Sequence, residues 1–315
     1  MSNKSPAQDD SSGRGYPAEF WSQTAPGWDE AISRVESPYY FYYFEADLLI
    51  SELLHGCGTA LELGCGTGGA TLHASRPGLR IVAVDYSREM IRRAKKKVSS
   101  RGVESPSSIE LATADVSMLP FASQTFDAVF SRGVVLSYVS DLRLCLDELF
   151  RVLRPGGRVG IDFMHLVKPH RRALLASILN VDGQDFFSEG TDDGIWITRQ
   201  TCKLKEGWEA VAIAKSFREH PSELDPFLFD CKSGAYRYIK RTEMSRSLRR
   251  AGFKRISFQP LGCFWRLARN RSRDENLVRW ALNSRDMLST LQIRFPELFD
   301  IRTAPHVFAL ATKPA

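Results

Sequence analysis

The sequence predicts an α/β protein: a Rossmann-like, doubly wound, mostly parallel sheet of seven strands carrying an inserted antiparallel cap. Three observations predict it. Short β-branched or apolar runs recur along the 315 residues, helical patterns separate the first five of them, and a glycine-rich turn directly follows the first. Strand–helix alternation builds a parallel sheet covered on both faces. Such sheets bind ligands at the carboxyl ends of their strands.

The elements follow in order. Residues 1–18 are polar and rich in Ser, Gly and Pro, which predicts a disordered tail. They have no apolar h-region, so they do not read as a secretory signal. Residues 39–44, "YYFYYF", put six rings in a row, more than one buried face of a single element can use. The predicted strands are "TALEL" (59–63), "RIVAV" (80–84), "SIELA" (108–112), "FDAVF" (126–130), "GRVGIDF" (157–163), "KRISFQ" (254–259) and "HVFALAT" (306–312). Helical periodicity covers 87–98 and 142–153, the latter expected to stop at Pro155-Gly156-Gly157. Two stretches interrupt the rhythm. Residues 166–235 read as the cap, with two strands joined around Lys205-Glu206-Gly207. Residues from about 264 to 303 read as a mostly helical insertion. The core is then 19–165 together with the rest of 236–315.

Composition is that of an ordinary globular protein, 43% hydrophobic and 25% charged. No stretch approaches the ~20 apolar residues of a membrane span. The six cysteines form no C-x-x-C pair, which excludes zinc ribbons and redox motifs. Free thiols and a cytoplasmic location are expected. The net charge of +6 is uneven: residues 237–273 hold twelve Lys or Arg against one acid, Glu243. That stretch is either a solvated basic face or a contact for an anionic partner.

The turn "ALELGCGTGGAT" (60–71) gives a tight bend, close backbone approach to a ligand and free N–H groups. Gly64, Gly66 and Gly69 alone also fit a dinucleotide pattern. Three acids set the turn in context. Glu62 stands where a nicotinamide protein would continue its apolar strand, and can accept from a ligand amine. Asp85 ends the second strand, placed to accept two ribose hydroxyls. Asp115 follows the third, within reach of an adenine amino group. Either aspartate singly could be a helix cap, but three acids after three successive strands are harder to explain as caps.

At these residues the chain resembles the class I S-adenosylmethionine-dependent methyltransferases, in the broad group that includes quinone-biosynthesis enzymes. "LELGCGTG", "VDYSREMIRRAKKK", "ADVSMLPFASQTFDAVFS" and "LDELFRVLRPGGRVGIDF" look like successive family motifs, and "FWSQTAPGWDE" (20–30) resembles the segment that precedes them, with Trp28 where Tyr is usual. The resemblance implies S-adenosylmethionine as cofactor, with Glu62, Gly64, Cys65, Gly66 and Gly68 around its methionine end. It implies Asp85 and Tyr86 at the ribose, Met90 beneath the adenine, Asp115 and Val116 beside it, and Ser131 and Arg132 facing the methyl group. It also implies that the 39–44 helix lies across the cofactor mouth as a lid, with Tyr39, Tyr42 or Tyr43 lining the site.

Methyl transfer needs the acceptor aligned about 3 Å from the methyl group in a dry site. An O or N nucleophile also needs a base. The family position that is often His reads "VVLSYVSD" here, so the candidates are His165, Tyr138 and His220. No N/D-P-P-Y/F/W tetrapeptide or Pro-Cys dipeptide is present, which disfavours nucleic-acid acceptors. No further acids cluster at strand ends for a metal. The expected function is transfer to O or N of a small or medium-sized molecule in an enclosed pocket. The alternatives are an anionic or membrane-associated acceptor (lipid or RNA), with peripheral membrane contact, or a non-catalytic cofactor-binding regulator.

Overall fold

The computed structural model describes residues 18–33, 39–100, 109–165, 185–191, 194–199, 235–264, 275–299, 301, 304 and 306–315. Its strands are β1 (Thr59–Leu63), β2 (Arg80–Asp85), β3 (Ile109–Thr113), β4 (Phe126–Ser131), β5 (Leu153–Met164), β6 (Asp185–Thr191), β7 (Gly194–Arg199), β8 (Ala235–Tyr238), β9 (Lys254–Leu261) and β10 (His306–Thr312). Seven of them form one sheet in the order β3-β2-β1-β4-β5-β10-β9. The first five run parallel, and β10 is antiparallel to both β5 and β9. The order reverses between β1 and β4, which opens a crevice at the carboxyl ends of these strands. Leu63 pairs there with Val84 on one side and Ser131 on the other.

Central strands of such a sheet are apolar on both faces because both are covered. Leu61, Leu63, Val82, Val84 and Val129 enter one core cluster, and Ala60, Ile81, Ala83 and Phe130 enter the other. Covering these faces are α1 (Ala18–Ser33), α2 (Tyr39–Leu53), α3 (Gly69–Ala74), α4 (Arg88–Ser100), α5 (Leu142–Val152), α6 (Arg241–Arg250), α7 (Glu275–Asn283) and α8 (Arg285–Arg294). Asp141 caps α5 by accepting the N–H groups of Arg143 and Leu144 at 2.8 and 3.0 Å.

Two strand boundaries differ from expectation. α5 stops ahead of Pro155-Gly156-Gly157 as expected, but its strand also starts ahead of them. The helix ends at Val152 and β5 starts at Leu153, with a register shift against β4 absorbing the extra residues. A second sheet is β6-β7-β8, antiparallel throughout; β6 and β7 lie on either side of residues 192–193, and β8 ends at Tyr238. The strand turn expected at 205–207 and His220 lie outside the described residues, as does the tail to residue 17; Ala18 already opens α1.

Candidate active site

The loop between β1 and α3 is built by hydrogen bonds to the end of β2. Cys65 donates its N–H to the Val84 carbonyl at 2.9 Å, and Gly66 donates to Asp85 Oδ2 at 2.8 Å. Asp85 Oδ1 accepts the Ser87 N–H at 2.8 Å, so one buried carboxylate fixes the loop and the start of α4 together. Burial raises the Asp85 pKa, and N–H groups of Ser87, Gly66 and Tyr86 work against that rise. Gly64 has φ +58°, and a Cβ there would collide with the Val135 side chain, so only glycine fits. Gly66 and Gly68 also have positive φ. α3 is only six residues long.

Glu62 lies beneath this loop, 1% exposed. Burial pushes its pKa up to about 8; the Thr71 hydroxyl and Arg132 offset part of the rise, and Asp47 and Asp85 add to it. Its Oε2 has no hydrogen-bond partner among the described residues. A buried acceptor left open beside a glycine loop fits the amine of the family cofactor.

Arg132 and Ser131 are placed differently from expectation. Arg132 turns back to α2, pairs with Asp47 Oδ2 at 2.6 Å and lies 4.4 Å over the Tyr43 ring. Its guanidinium also abuts Gly69, where a Cβ would come within 2.6 Å. Ser131 is fully buried and donates to Asp162 Oδ1 at 3.3 Å, so it anchors the strand end instead of facing an open site. Asp162 was not singled out. Its Oδ2 accepts the N–H groups of Gly133 and Val134 at 2.8 and 3.0 Å, fixing the turn after β4. Burial raises its pKa to about 6. An acid inside the apolar run "GRVGIDF" was the available signal.

Asp115 is exposed, and its Oδ1 accepts the Ser117 N–H at 2.8 Å in a local turn. Val116 and Met90 are buried, while Tyr86 is 51% exposed. Cys65 is buried, and burial raises its thiol pKa, as do Glu62 and Asp85.

The aromatic run forms the first turns of α2, wedged between the sheet and α8. Phe41 and Tyr42 are fully buried and Tyr43 is 8% exposed. Tyr42 stacks on His306 at 4.3 Å, Phe41 joins Ala281 and Leu288, and Tyr40 and Phe44 flank the Arg285 guanidinium at 4.2 and 4.3 Å. Tyr42 therefore does not line an open site, and of Tyr39 the structure describes only its place in the helix. The element over the glycine loop is α1. The position of a Gly66 Cβ lies 3.7 Å from Trp28 Nε1, and Trp21 meets Tyr138 edge-on at 4.9 Å. The Ser22 and Ser87 hydroxyls are 2.9 Å apart, and Lys97 donates to Asp29 at 2.6 Å. His165 ends β5 in a bridge to Ile239, 6% exposed. Burial lowers its pKa, and hydrogen bonds with the backbone of Ala304 and Ile301 partly restore it.

A sheet of this order, with an acid-flanked glycine loop at its switch point, defines a Rossmann-like cofactor-binding protein. A methyltransferase domain family model matches residues 61–161. The chain is 37% identical over 175 residues to the demethylmenaquinone methyltransferase of Lactobacillus johnsonii, covering 50% of this chain and 70% of that protein. It is 40% identical over 105 residues to the ubiquinone/menaquinone biosynthesis C-methyltransferase UbiE of Desulfotalea psychrophila, where the match spans 33% of this chain and only 40% of that protein's length. The chain belongs to the class I S-adenosylmethionine-dependent methyltransferases. Among solved structures, the CcbJ methyltransferase from Streptomyces caelestis is 15% identical with a TM-score of 0.54, covering 94% of this chain and 98% of that one. That likeness concerns the fold alone.

Proposed function

We propose that this protein transfers a methyl group to a small or medium-sized acceptor held between α1 and the turn after β4. The observation that carries the reading is the buried, open Oε2 of Glu62 beneath a glycine loop pinned by Asp85. Bound there, S-adenosylmethionine supplies a methyl group activated as a sulfonium. Glu62 would accept from the amine at its methionine end, Asp85 would set the loop beside the ribose, and Asp115 would lie toward the adenine. Trp21, Trp28 and Tyr138 cover the loop and exclude water. Asp162 keeps the 131–134 turn in one conformation. For an O or N acceptor, the lowered pKa of His165 leaves it neutral near pH 7 and able to take a proton; Tyr138 and Tyr43 stand as the other candidates.

A second reading has specific support. The names of the relatives above concern quinone precursors and C-methylation, which points to a ring carbon of a quinol-like acceptor. Met287, Leu291, Phe295 and Leu298, spaced along one side of α8 and the turn after it, are 40–68% exposed, a surface suited to peripheral contact with a lipid-borne acceptor. Among the described residues no helix is long and apolar enough to cross a membrane. Incubating the protein with methyl-labelled cofactor and a panel of phenols, amines and demethylated naphthoquinols, then locating the label by NMR, tests both. Label on O or N supports the first reading and label on ring carbon the second. No transfer from the cofactor to any acceptor class counts against both and favours the regulator.

A further inference from the structure

Arg132 lies near two buried acids, Asp47 and Glu62, and pairs with only one of them. Arg132 Nη1 pairs with Asp47 Oδ2 at 2.6 Å, in a pair whose side chains are 11% and 12% exposed, and the Tyr43 ring 4.4 Å away fixes the guanidinium plane. Glu62 Oε2 is left without a hydrogen-bond partner among the described residues, and so is Asp47 Oδ1. Asp47 belongs to α2, outside every motif that resembles the family.

We propose that Asp47 is a positioning residue for the cofactor's amino-acid end: it sequesters Arg132, so that Glu62 keeps an unengaged carboxylate oxygen for the ligand ammonium. The Asp47 carboxylate takes the guanidinium, and Glu62 gains a positive partner when an ammonium arrives. The groups facing Glu62 are Asp47 from α2, Thr71 from α3, Asp85 from the end of β2 and Arg132 from the end of β4; Cys65 of the loop is also near. Asp47 in turn faces His73 of α3. Arg132 is held charged against burial by Asp47, Tyr43, Glu62 and Tyr42.

A consequence is proton release. Burial holds the Glu62 pKa at about 8 in the free protein, so near pH 7 the carboxyl is largely protonated. Accepting from an ammonium needs the carboxylate, so the proton on Glu62 leaves to solvent as the ligand binds. The inference rests on the family cofactor and not on the identity of the acceptor.

The test is calorimetry of the full chain at pH 7 in two buffers of different ionisation enthalpy. The probes are S-adenosylhomocysteine, which keeps the amino-acid end, and 5′-methylthioadenosine, which lacks it. The expected result is release of a substantial fraction of a proton with the first probe and none with the second. Asp47→Asn should weaken S-adenosylhomocysteine at least about tenfold, since a hydrogen bond to a charged group is lost, and leave 5′-methylthioadenosine unchanged. Glu62→Gln should abolish the proton release. Equal release with both probes, or unchanged binding of S-adenosylhomocysteine in Asp47→Asn, overturns the proposal; no binding of S-adenosylhomocysteine to the wild type overturns the functional reading as well. Equal weakening of both probes in Asp47→Asn makes Asp47 merely structural and also overturns it. Should that variant fold poorly, Asp47→Glu takes its place: it keeps the counter-charge for Arg132, so discrimination between the two probes should persist, and its loss overturns the proposal.

Discussion

α1 and α2 are both rich in rings, yet they spend them differently. α2 buries Phe41, Tyr42 and Tyr43 between the sheet and α8. It also buries Glu45, which accepts from the Gly262 N–H at 2.7 Å, from Gln292 Nε2 at 2.8 Å and from the Ser289 hydroxyl at 3.3 Å. Gln292 donates further to the Pro260 carbonyl at 2.8 Å, so one network ties α2, α8 and the end of β9 together. α1 leaves Trp21 and Trp28 half-buried over the glycine loop and is tied down by hydroxyls and an ion pair at the surface. Exposed pairs of that kind contribute about 0–1 kcal/mol. Dense rings thus mark a structural wedge, and the more exposed helix over the glycine loop is the better candidate for a cover.

Substitutions that separate the two helices sharpen this contrast. Tyr42→Ala, which empties a fully buried position against His306, should lower stability in urea melts by about 3–5 kcal/mol. A small loss of stability with a large loss of cofactor binding would instead return Tyr42 to the site.

Glu45 predicts a pH dependence within the wedge. Burial raises its pKa from 4.5 to about 8, so the folded state binds the proton more tightly than the unfolded one. Its contribution is then fully present below about pH 4.5 and is lost as pH rises through about 8. Glu62 and Asp162 shift in the same direction, so the comparison must be with Glu45→Gln. Between pH 5.5 and 8, wild type should lose about 1–3 kcal/mol more than this variant. Parallel pH profiles would show that Glu45 does not titrate in this range.

On the α1 side the expected effects are on binding. Trp28→Ala should weaken S-adenosylhomocysteine about tenfold, the worth of roughly one aromatic contact, while leaving the unfolding midpoint nearly unchanged. A stability loss as large as that of Tyr42→Ala would make α1 core as well. The smallest effect concerns mobility. Hydrogen exchange through residues 18–33 should slow on adding S-adenosylhomocysteine, and exchange through residues 39–53 should hardly change. The reverse order would restore the 39–44 segment as the lid.

The fold was legible because its signals are local and repetitive. Each apolar run from "TALEL" to "HVFALAT" maps to a strand within a few residues, and the glycine turn falls between β1 and α3. The positions of Glu62 and Asp85 beside that turn were legible for the same reason, since a strand end and the turn after it are adjacent in sequence. The helix stop ahead of Pro155-Gly156-Gly157 was legible too, since α5 ends at Val152; only the early start of β5 needed the pairing of Leu153 with Phe126.

The sequence by itself determined which residues form the sheet, where its glycine loop lies and which acids flank it. Only the tertiary structure decided which neighbours those groups meet. Arg132 finds Asp47, which is 85 residues away, Glu45 finds Gln292 across 247, and Phe41, Tyr42 and Tyr43 become core between the sheet and α8. Spacing along a chain encodes faces and turns, whereas pairing across such separations follows from how the helices stack on the sheet, and no local pattern records it.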